Sequence, residues 1–149
     1  MIYDRTQADV DDAIKIRKEK VQKFQELTIE DIRIFERGMI TINTLNRIEI
    51  KQEELKNFFN DMGYWNTPIT NKVWSENDIF NVDEFQRTID NANILRQAFF
   101  VYKSTPNTPN VSYHFEDINA LEKILYDLDV MINDVKSHYR ECRTFESGE

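Results

Sequence analysis

Apolar side chains recur every three or four positions along most of this sequence, which is the spacing that places them on one face of an α-helix. The clearest run predicts a single long helix over about residues 116 to 143. Its apolar positions are Ile118, Leu121, Leu125, Leu128, Ile132, Val135, Tyr139 and Cys142. At about 1.5 Å per residue this helix would be ~40 Å long, so we expect part of its seam to pack against a partner.

Earlier helices are predicted from their start signals. Thr6 and Thr28 can cap helices over about residues 7 to 26 and 29 to 37, because each is followed three positions later by an aspartate. In the first of these helices the predicted apolar face consists of Val10, Ile14, Val21 and Phe24. We expect Gly38 to end the second helix in a left-handed conformation.

Two further helices are predicted in the middle of the chain. One reaches about residue 62 and carries a coiled-coil-like seam with one polar interruption, formed by Leu45, Ile48, Gln52, Leu55, Phe59 and Met62. Gly63 is expected to close it. The other is capped by Asn81, with Glu84 completing a capping box, and ends near Lys103.

Residues 63 to 82 follow no helical period and contain both tryptophans of the chain. This segment is expected to be a long ordered connection, a kind of segment that is often functional in a compact domain. Tyr64, Trp65 and Trp74 have two interpretations. They either cover the ends of the helical core or anchor a partner protein at an interface.

These elements predict an all-α fold: a helical bundle with antiparallel helices, a long C-terminal helix and a long aromatic-containing connection. Only three glycines and three prolines interrupt the chain, which favours long helices. The 149 residues fit one helical domain, residues 1 to 149. Within it, residues 28 to 62 and 84 to 143 are expected to form a two-fold repeat of a helical hairpin.

Two helix starts share a polar pattern, and this is the motif that suggests the repeat. The segments are Thr44-Leu45-Asn46-Arg47-Ile48-Glu49 and Asp117-Ile118-Asn119-Ala120-Leu121-Glu122. The spacing places Asn46 with Glu49, and Asn119 with Glu122, on one helix face. Each pair either caps a helix and hydrogen-bonds between helices, or forms a functional polar site. The Glu-x-x-His pairs of di-metal bundles are not found in the sequence.

Composition argues against several functional classes. The net charge is −8, with 19 basic against 27 acidic residues, so neither nucleic acid nor an anionic membrane is an expected partner. The sequence has no Gly-rich phosphate loop, nucleophile elbow or metalloprotease helix. We therefore expect a protein that is not an enzyme, with no catalytic, cofactor-binding or metal-binding residues. The polar N-terminal segment is unlike a signal peptide, so synthesis and residence in a cytoplasm are expected.

An ordered set of motifs covers nearly the whole chain. It consists of Asp4-Arg5-Thr6 with Asp9-Val10, Asn43 through Glu49, Gly63-Tyr64, Trp74 with Asp78, Glu84-Phe85, Asn91 through Arg96, Asn119-Ala120-Leu121-Glu122 and a terminal Gly148-Glu149. In this order the motifs resemble a group of small tail-associated virion proteins, or modules of tail proteins, of phages and prophages of Gram-positive bacteria. The terminal pair is like the end of these proteins, so we expect the chain to be complete. Phe80 departs from the group, where a proline is expected.

The resemblance implies a structural component of a phage tail, baseplate or phage-tail-like particle, which acts through protein-protein interfaces and is located in the virion tail. Its implied partners are other tail or baseplate proteins and further copies of itself in a symmetric assembly. The surfaces that we expect to meet them are the aromatic connection and the final helix, with candidate residues Tyr64, Trp65, Trp74, Leu125, Leu128, Ile132 and Tyr139. The alternative function is a cytoplasmic helical assembly chaperone or regulator of phage origin.

Overall fold

The structure is a computed structural model that describes residues 1 to 63, 68 to 110 and 114 to 146, with the backbone alone for residues 139 to 146. Every regular element in these ranges is helical. The helices are α1 (Gln7–Glu19), α2 (Ile29–Gly38), α3 (Ile42–Asp61), α4 (Val82–Ala98) and α5 (Phe115–Glu146), and a short 3-10 turn (Val21–Lys23) follows α1. The predicted all-α helical bundle is confirmed.

The predicted start signals of α1 and α2 are confirmed as reciprocal capping boxes. The Thr6 hydroxyl accepts the Asp9 N–H, and the Asp9 carboxylate accepts the Thr6 N–H at 2.7 Å. Thr28 and Asp31 repeat this arrangement at the start of α2. Asp31 also pairs with Lys20, and these hydrogen bonds from Lys20 and Thr28 lower the pKa of its carboxyl to about 2.

Helix α1 is shorter than its sequence pattern predicts. It ends at Glu19, the 3-10 turn follows, and Phe24 adopts a left-handed conformation with φ 54°. The Gln25 N–H returns to the Lys20 carbonyl at 3.0 Å, so the backbone reverses here before α2 begins. The predicted apolar face was wrong at Val21 and Phe24, which are exposed, whereas Val10 and Ile14 are half-buried. The buried residues of α1 are Ala13 and Ile16.

Helix α2 ends at Gly38 as predicted, but the predicted left-handed conformation was wrong, since Gly38 is still part of the helix. A Cβ atom at this position would be 2.1 Å from the Asp9 carbonyl oxygen and 2.5 Å from the Ala13 Cβ. The glycine is therefore required by the close approach of α2 to α1. Farther along the chain, the predicted left-handed glycine does occur at Gly63, with φ 69°.

The core is formed where α3, α4 and α5 pack against one another. Its larger cluster contains Ile48, Leu55, Phe59, Leu95, Ile124, Leu125, Leu128 and Ile132. A second cluster contains Phe85, Ile89, Ala92, Ile118 and Leu121. Gln52, the polar residue in the α3 seam, is also buried, and its amide donates to the Thr88 carbonyl oxygen at 2.8 Å. The predicted seam of α3 from Leu45 to Phe59 and that of α5 from Ile118 to Ile132 thus pack within one chain, whereas Met62 is exposed. The side chains of Tyr139 and Cys142 lie outside the described residues.

Three residues predicted to meet a partner are part of this core. Leu125 and Leu128 are 0% exposed and Ile132 is 3% exposed, so all three pack within the chain and a partner cannot reach them while the core is closed. The expectation of an interface at these positions is corrected accordingly. From Ile118 to Ile132 the seam of α5 is buried by α3 and α4.

The loop connections hold the bundle through specific contacts. Helix α4 ends at Ala98 and not near Lys103, and the loop that follows is tied to α5 by a 2.6 Å hydrogen bond from Thr105 to the buried Asp127. Phe80, where a proline was expected, instead packs its ring 5.6 Å from that of Phe85.

None of the helices in the described ranges combines the length and the apolar character that a membrane span requires.

The Gly38→Ala variant should be destabilised although alanine is the better helix former. The steric conflict with α1 should exceed the helix-propensity gain of ~1 kcal/mol, for a net loss of about 1–3 kcal/mol in the free energy of unfolding. Urea denaturation measures this change. Arg33→Ala, at an exposed position of the same helix, is the matched control and should stay within ~0.5 kcal/mol of wild type. Equal stability of both variants would contradict the close packing.

Acid should weaken the contact between α1 and α2. The pKa of Asp31 is lowered from 3.8 to about 2, so its contribution to stability is complete above about pH 4 and is lost as the pH falls toward 2. We expect Asp31→Asn to melt at a lower temperature than wild type at neutral pH. The difference should shrink as the pH falls through that window. Circular dichroism melts at a series of pH values test this, and a difference that does not depend on pH would contradict it.

Candidate functional site

The two predicted Asn–Glu pairs lie at equivalent positions of their helices. Thr44 and Asp117 are both in the first turn, and the pair follows two residues later in α3 and in α5. We call Asn46 with Glu49 the α3 clamp, and Asn119 with Glu122 the α5 clamp. Each clamp holds an extended segment of the chain, which we call a strap. The N-terminal strap is residues 2 to 6, and the central strap is residues 71 to 75.

The α5 clamp binds the N-terminal strap through the backbone of Arg5. The Asn119 side-chain oxygen accepts the Arg5 N–H at 3.2 Å, and its amide donates to the Arg5 carbonyl oxygen at 2.9 Å. The Glu122 carboxylate accepts the Ile2 N–H at 3.2 Å. It also accepts a hydrogen bond from the Arg5 guanidinium at 2.6 Å. The strap is thus held at two backbone positions and by one cationic side chain.

The α3 clamp binds the central strap in the same way. The Asn46 side-chain oxygen accepts the Trp74 N–H at 2.7 Å, and its amide donates to the Trp74 carbonyl oxygen at 3.0 Å. The Glu49 carboxylate accepts the Lys72 N–H and the Trp74 indole N–H, both at 3.2 Å. Trp74 therefore occupies the position that Arg5 has in the other clamp. An asparagine grips its backbone, and its side chain donates to the glutamate.

Both glutamates are buried, and arginines balance their charge. Glu122 is 0% exposed and Glu49 is 2% exposed. Arg47 donates to Glu122 at 2.7 Å, in addition to Arg5. Arg87 pairs with Glu49, and this hydrogen bond is the main reason that the pKa of Arg87 is raised. A buried carboxylate without such partners would cost several kcal/mol, so each clamp depends on these arginines.

The two clamps are linked because Arg47 belongs to α3 and its acceptor to α5. Arg47 follows Asn46 directly, so consecutive residues serve the two clamps: Asn46 holds the central strap and Arg47 neutralises Glu122. Aromatic rings pack beside the polar contacts. The Tyr3 and Tyr126 rings lie 4.9 Å apart on the α5 side. The clamps therefore form one connected network across the ends of the two helices.

A second repeated feature follows each gripped residue. In both straps the next residue is a hydroxyl-bearing side chain, and an aspartate comes three positions later. The Asp9 carboxylate accepts from the Thr6 N–H and hydroxyl at 2.7 and 2.9 Å, and Asp78 accepts from those of Ser75 at 2.7 and 3.0 Å. These backbone hydrogen bonds are the main reason that the pKa values of Asp9 and Asp78 are lowered.

The structure describes some of the predicted site residues and leaves others outside the described ranges. The structure brings Trp74 together with Asn46 and Glu49, and it buries the indole to 4% exposure, so Trp74 covers the core and is not a surface anchor. Tyr64 and Trp65 lie outside the described residues, as does the side chain of Tyr139. Sequence reasoning missed the role of Arg5, Arg47 and Arg87. The signal was available, because two buried glutamates need cationic partners.

The arrangement is suited to holding polypeptide. An asparagine that accepts an N–H and donates to the C=O of the same residue recognises extended backbone irrespective of its side chain. No group of His, Cys, Asp and Glu within the described ranges is arranged to hold a metal ion. In this chain the side chains of the Asn–Glu motif hydrogen-bond to the straps, and they do not cap the ends of helices.

Neutralising either buried glutamate should destabilise the fold. Glu122→Gln leaves Arg5 and Arg47 without their shared carboxylate, and we expect a loss of about 3–5 kcal/mol in the free energy of unfolding. Glu49→Gln should behave similarly because of Arg87. Glu30→Gln is the matched control, since Glu30 pairs with Arg33 at an exposed site and should cost under ~1 kcal/mol. Denaturant unfolding measures all three, and equal effects at buried and exposed sites would contradict the clamps.

Comparison with protein-family models, with curated proteins and with solved structures gives no match to this chain.

Proposed function

We propose that this protein is a structural component of a phage tail, baseplate or phage-tail-like particle, and that it acts through protein-protein interfaces. The resemblance of its ordered motifs is the reason for naming the particle. The geometry supports the mode of action, because the motifs that carry the resemblance hold the chain's own segments in place. A chain whose segments are held in this way can present a defined surface to neighbouring proteins.

The observation that carries this proposal is the conformation of Phe24. Its ring is 98% exposed, and its backbone is left-handed with φ 54°. That conformation costs an ordinary residue ~1–2 kcal/mol, and an exposed ring returns nothing to the core. Phenylalanine is among the residues enriched at protein interfaces, and in this proposal Phe24 is the anchor of one.

Other apolar side chains lie near Phe24 in the sequence, at the same end of the α1–α2 hairpin. Ile29 is 81% exposed and Ile32 is 45% exposed, and both lie at the beginning of α2. We call Phe24, Ile29 and Ile32 the hairpin-tip surface. In the proposed particle this surface contacts a neighbouring tail protein, and the bundle of α3, α4 and α5 fixes its position.

A cytoplasmic assembly chaperone would use the same surface but leave the mature particle. Mass spectrometry of purified particles separates the two functions. A structural component should be present at a constant stoichiometry relative to the other tail proteins. Its absence from intact particles, together with binding to unassembled tail proteins, would overturn the proposal in favour of the chaperone.

Phe24→Gly should separate stability from association. Glycine removes the left-handed strain, so we expect unfolding stability to be unchanged or raised by up to ~1 kcal/mol. Association with the tail protein that it contacts in the proposed particle should weaken by about tenfold or more, as for an interface anchor. Light scattering and titration calorimetry measure this. Ile79→Ala, at an equally accessible apolar position with 82% exposure, is the control and should bind as wild type does. Unchanged association of Phe24→Gly would contradict the role of the hairpin-tip surface.

A further inference from the structure

The two clamps recognise segments of the same kind. In each strap, a residue gripped by asparagine donates from its side chain to the clamp glutamate, and a Ser/Thr-x-x-Asp turn follows. The segments are Arg5-Thr6-Gln7-Ala8-Asp9 and Trp74-Ser75-Glu76-Asn77-Asp78. The same kind of strap is therefore bound by the same kind of clamp at two places in the molecule.

The two clamps are connected to their straps differently along the chain. The N-terminal strap precedes α1, and its Arg5 is bound by Asn119, 114 positions away. The central strap lies in the connection between α3 and α4, and its Trp74 is bound by Asn46, only 28 positions away. The clamp therefore reads the local chemistry of the strap, and its contacts do not depend on how the strap is connected to the clamp.

The N-terminal strap is hydrogen-bonded to α2 and continues directly into α1, so the three segments form one structural unit. Arg37 of α2 donates to the Asp4 carbonyl oxygen at 3.1 Å and to Asp9 at 2.8 Å, and Arg5 donates to the Arg37 carbonyl oxygen at 2.9 Å. Helices α1 and α2 pack mainly against each other. We call residues 1 to 38 the N-terminal arm. Residues 39 to 41, which are extended at Met39 and Thr41, connect it to α3.

We propose that the α5 clamp is a binding site for the N-terminal strap of a second copy of this chain, so that copies associate by exchanging arms. This inference deepens the proposed function, on which it rests, by naming the partner at one site. An exchanged arm makes the same contacts as a retained one, so exchange costs little in contact energy. Reciprocal exchange closes a dimer, and one-way exchange links copies in a row.

The chemistry of the clamp selects this occupant. Glu122 is fully buried, and Arg47 alone leaves it with one of its two guanidinium partners. A suitable segment must present an extended N–H and C=O to Asn119 and a cation from that same residue to Glu122. The N-terminal strap of another copy meets both requirements. A segment without the arginine would leave the buried carboxylate underneutralised.

Concentration decides which arm fills the clamp. A strap on the same chain has an effective concentration in the millimolar range, so the wild-type protein should be a monomer at micromolar concentration. In an assembly where copies lie side by side, the arm of a neighbour competes at a similar local concentration. Weakening the retained contact should therefore expose exchange in dilute solution.

Two full-length variants provide the test when they are mixed. Arg5→Ala weakens the strap and leaves the α5 clamp intact, and Asn119→Ala weakens the α5 clamp and leaves the strap intact. Each variant alone should remain near the monomer mass of 17.9 kDa. In an equimolar mixture at tens of micromolar, the intact strap can enter the intact clamp, and light scattering should show a species of about twice that mass.

The matched control mixes Arg5→Ala with Asn46→Ala, which carries the same lesion in the α3 clamp. Its own α5 clamp retains its strap, so far less dimer is expected. Circular dichroism first establishes that each variant is folded. If either alanine variant is unfolded, the milder pair Arg5→Lys and Asn119→Ser replaces it. Folded variants that stay monomeric when mixed would overturn arm exchange. That result would leave the particle composition measured by mass spectrometry unaffected, so the two proposals fail separately.

Discussion

The buried carboxylate of Glu122 is the constraint on which the rest of the arrangement depends. A charge removed from water is tolerated only where opposite charges and hydrogen bonds surround it. Here those groups come from two distant parts of the chain, Arg5 in the N-terminal strap and Arg47 on α3. Glu122 cannot be buried unless the strap and α3 are both in place. One side chain thereby makes the position of α5 conditional on that of two other segments.

The same constraint, repeated at Glu49, fixes the axial register of the bundle. An apolar seam with 3-4 spacing packs almost equally well after a shift of one heptad, so Leu and Ile alone specify the register of α3 against α5 weakly. The pairing of Arg47 with Glu122 joins α3 to α5, and that of Arg87 with Glu49 joins α3 to α4; each is satisfied in one register only. Buried polar groups that cost stability when unpaired are well suited to excluding the alternatives. The clamps therefore determine how the helices of this fold are aligned along their axes.

Much of the fold was predictable from local patterns. The seam of α3 from Leu45 to Phe59, the seam of α5 from Ile118 to Ile132, the caps at Thr6 and Thr28 and the left-handed Gly63 follow from short-range rules, and the structure confirms them. The extent of α1 and the role of Gly38 were mispredicted because both depend on how closely two helices approach each other. That distance is set by tertiary packing, which periodicity does not record.

The site was only partly predictable for a related reason. The Asn-x-x-Glu repeat could be seen in the sequence, but the partners of Asn119 and Glu122 are more than a hundred positions away in the N-terminal strap. The second repeat, a Ser/Thr-x-x-Asp turn after each gripped residue, was also visible at Thr6 and Ser75. Pairing these repeats requires knowing which strap meets which clamp in the folded chain, and spacing within a segment does not give that.

Arm and bundle are held by different forces, and this difference has consequences for dynamics. The bundle of α3, α4 and α5 is closed by a continuous apolar core. The arm is tied to it through the hydrogen bonds of the α5 clamp and a few contacts such as that of Tyr3 with Tyr126. Segments with few buried apolar contacts open at lower free energy than the core around them. The arm that carries the exposed Phe24 is therefore also the segment whose release would leave most of the apolar core of the bundle in place.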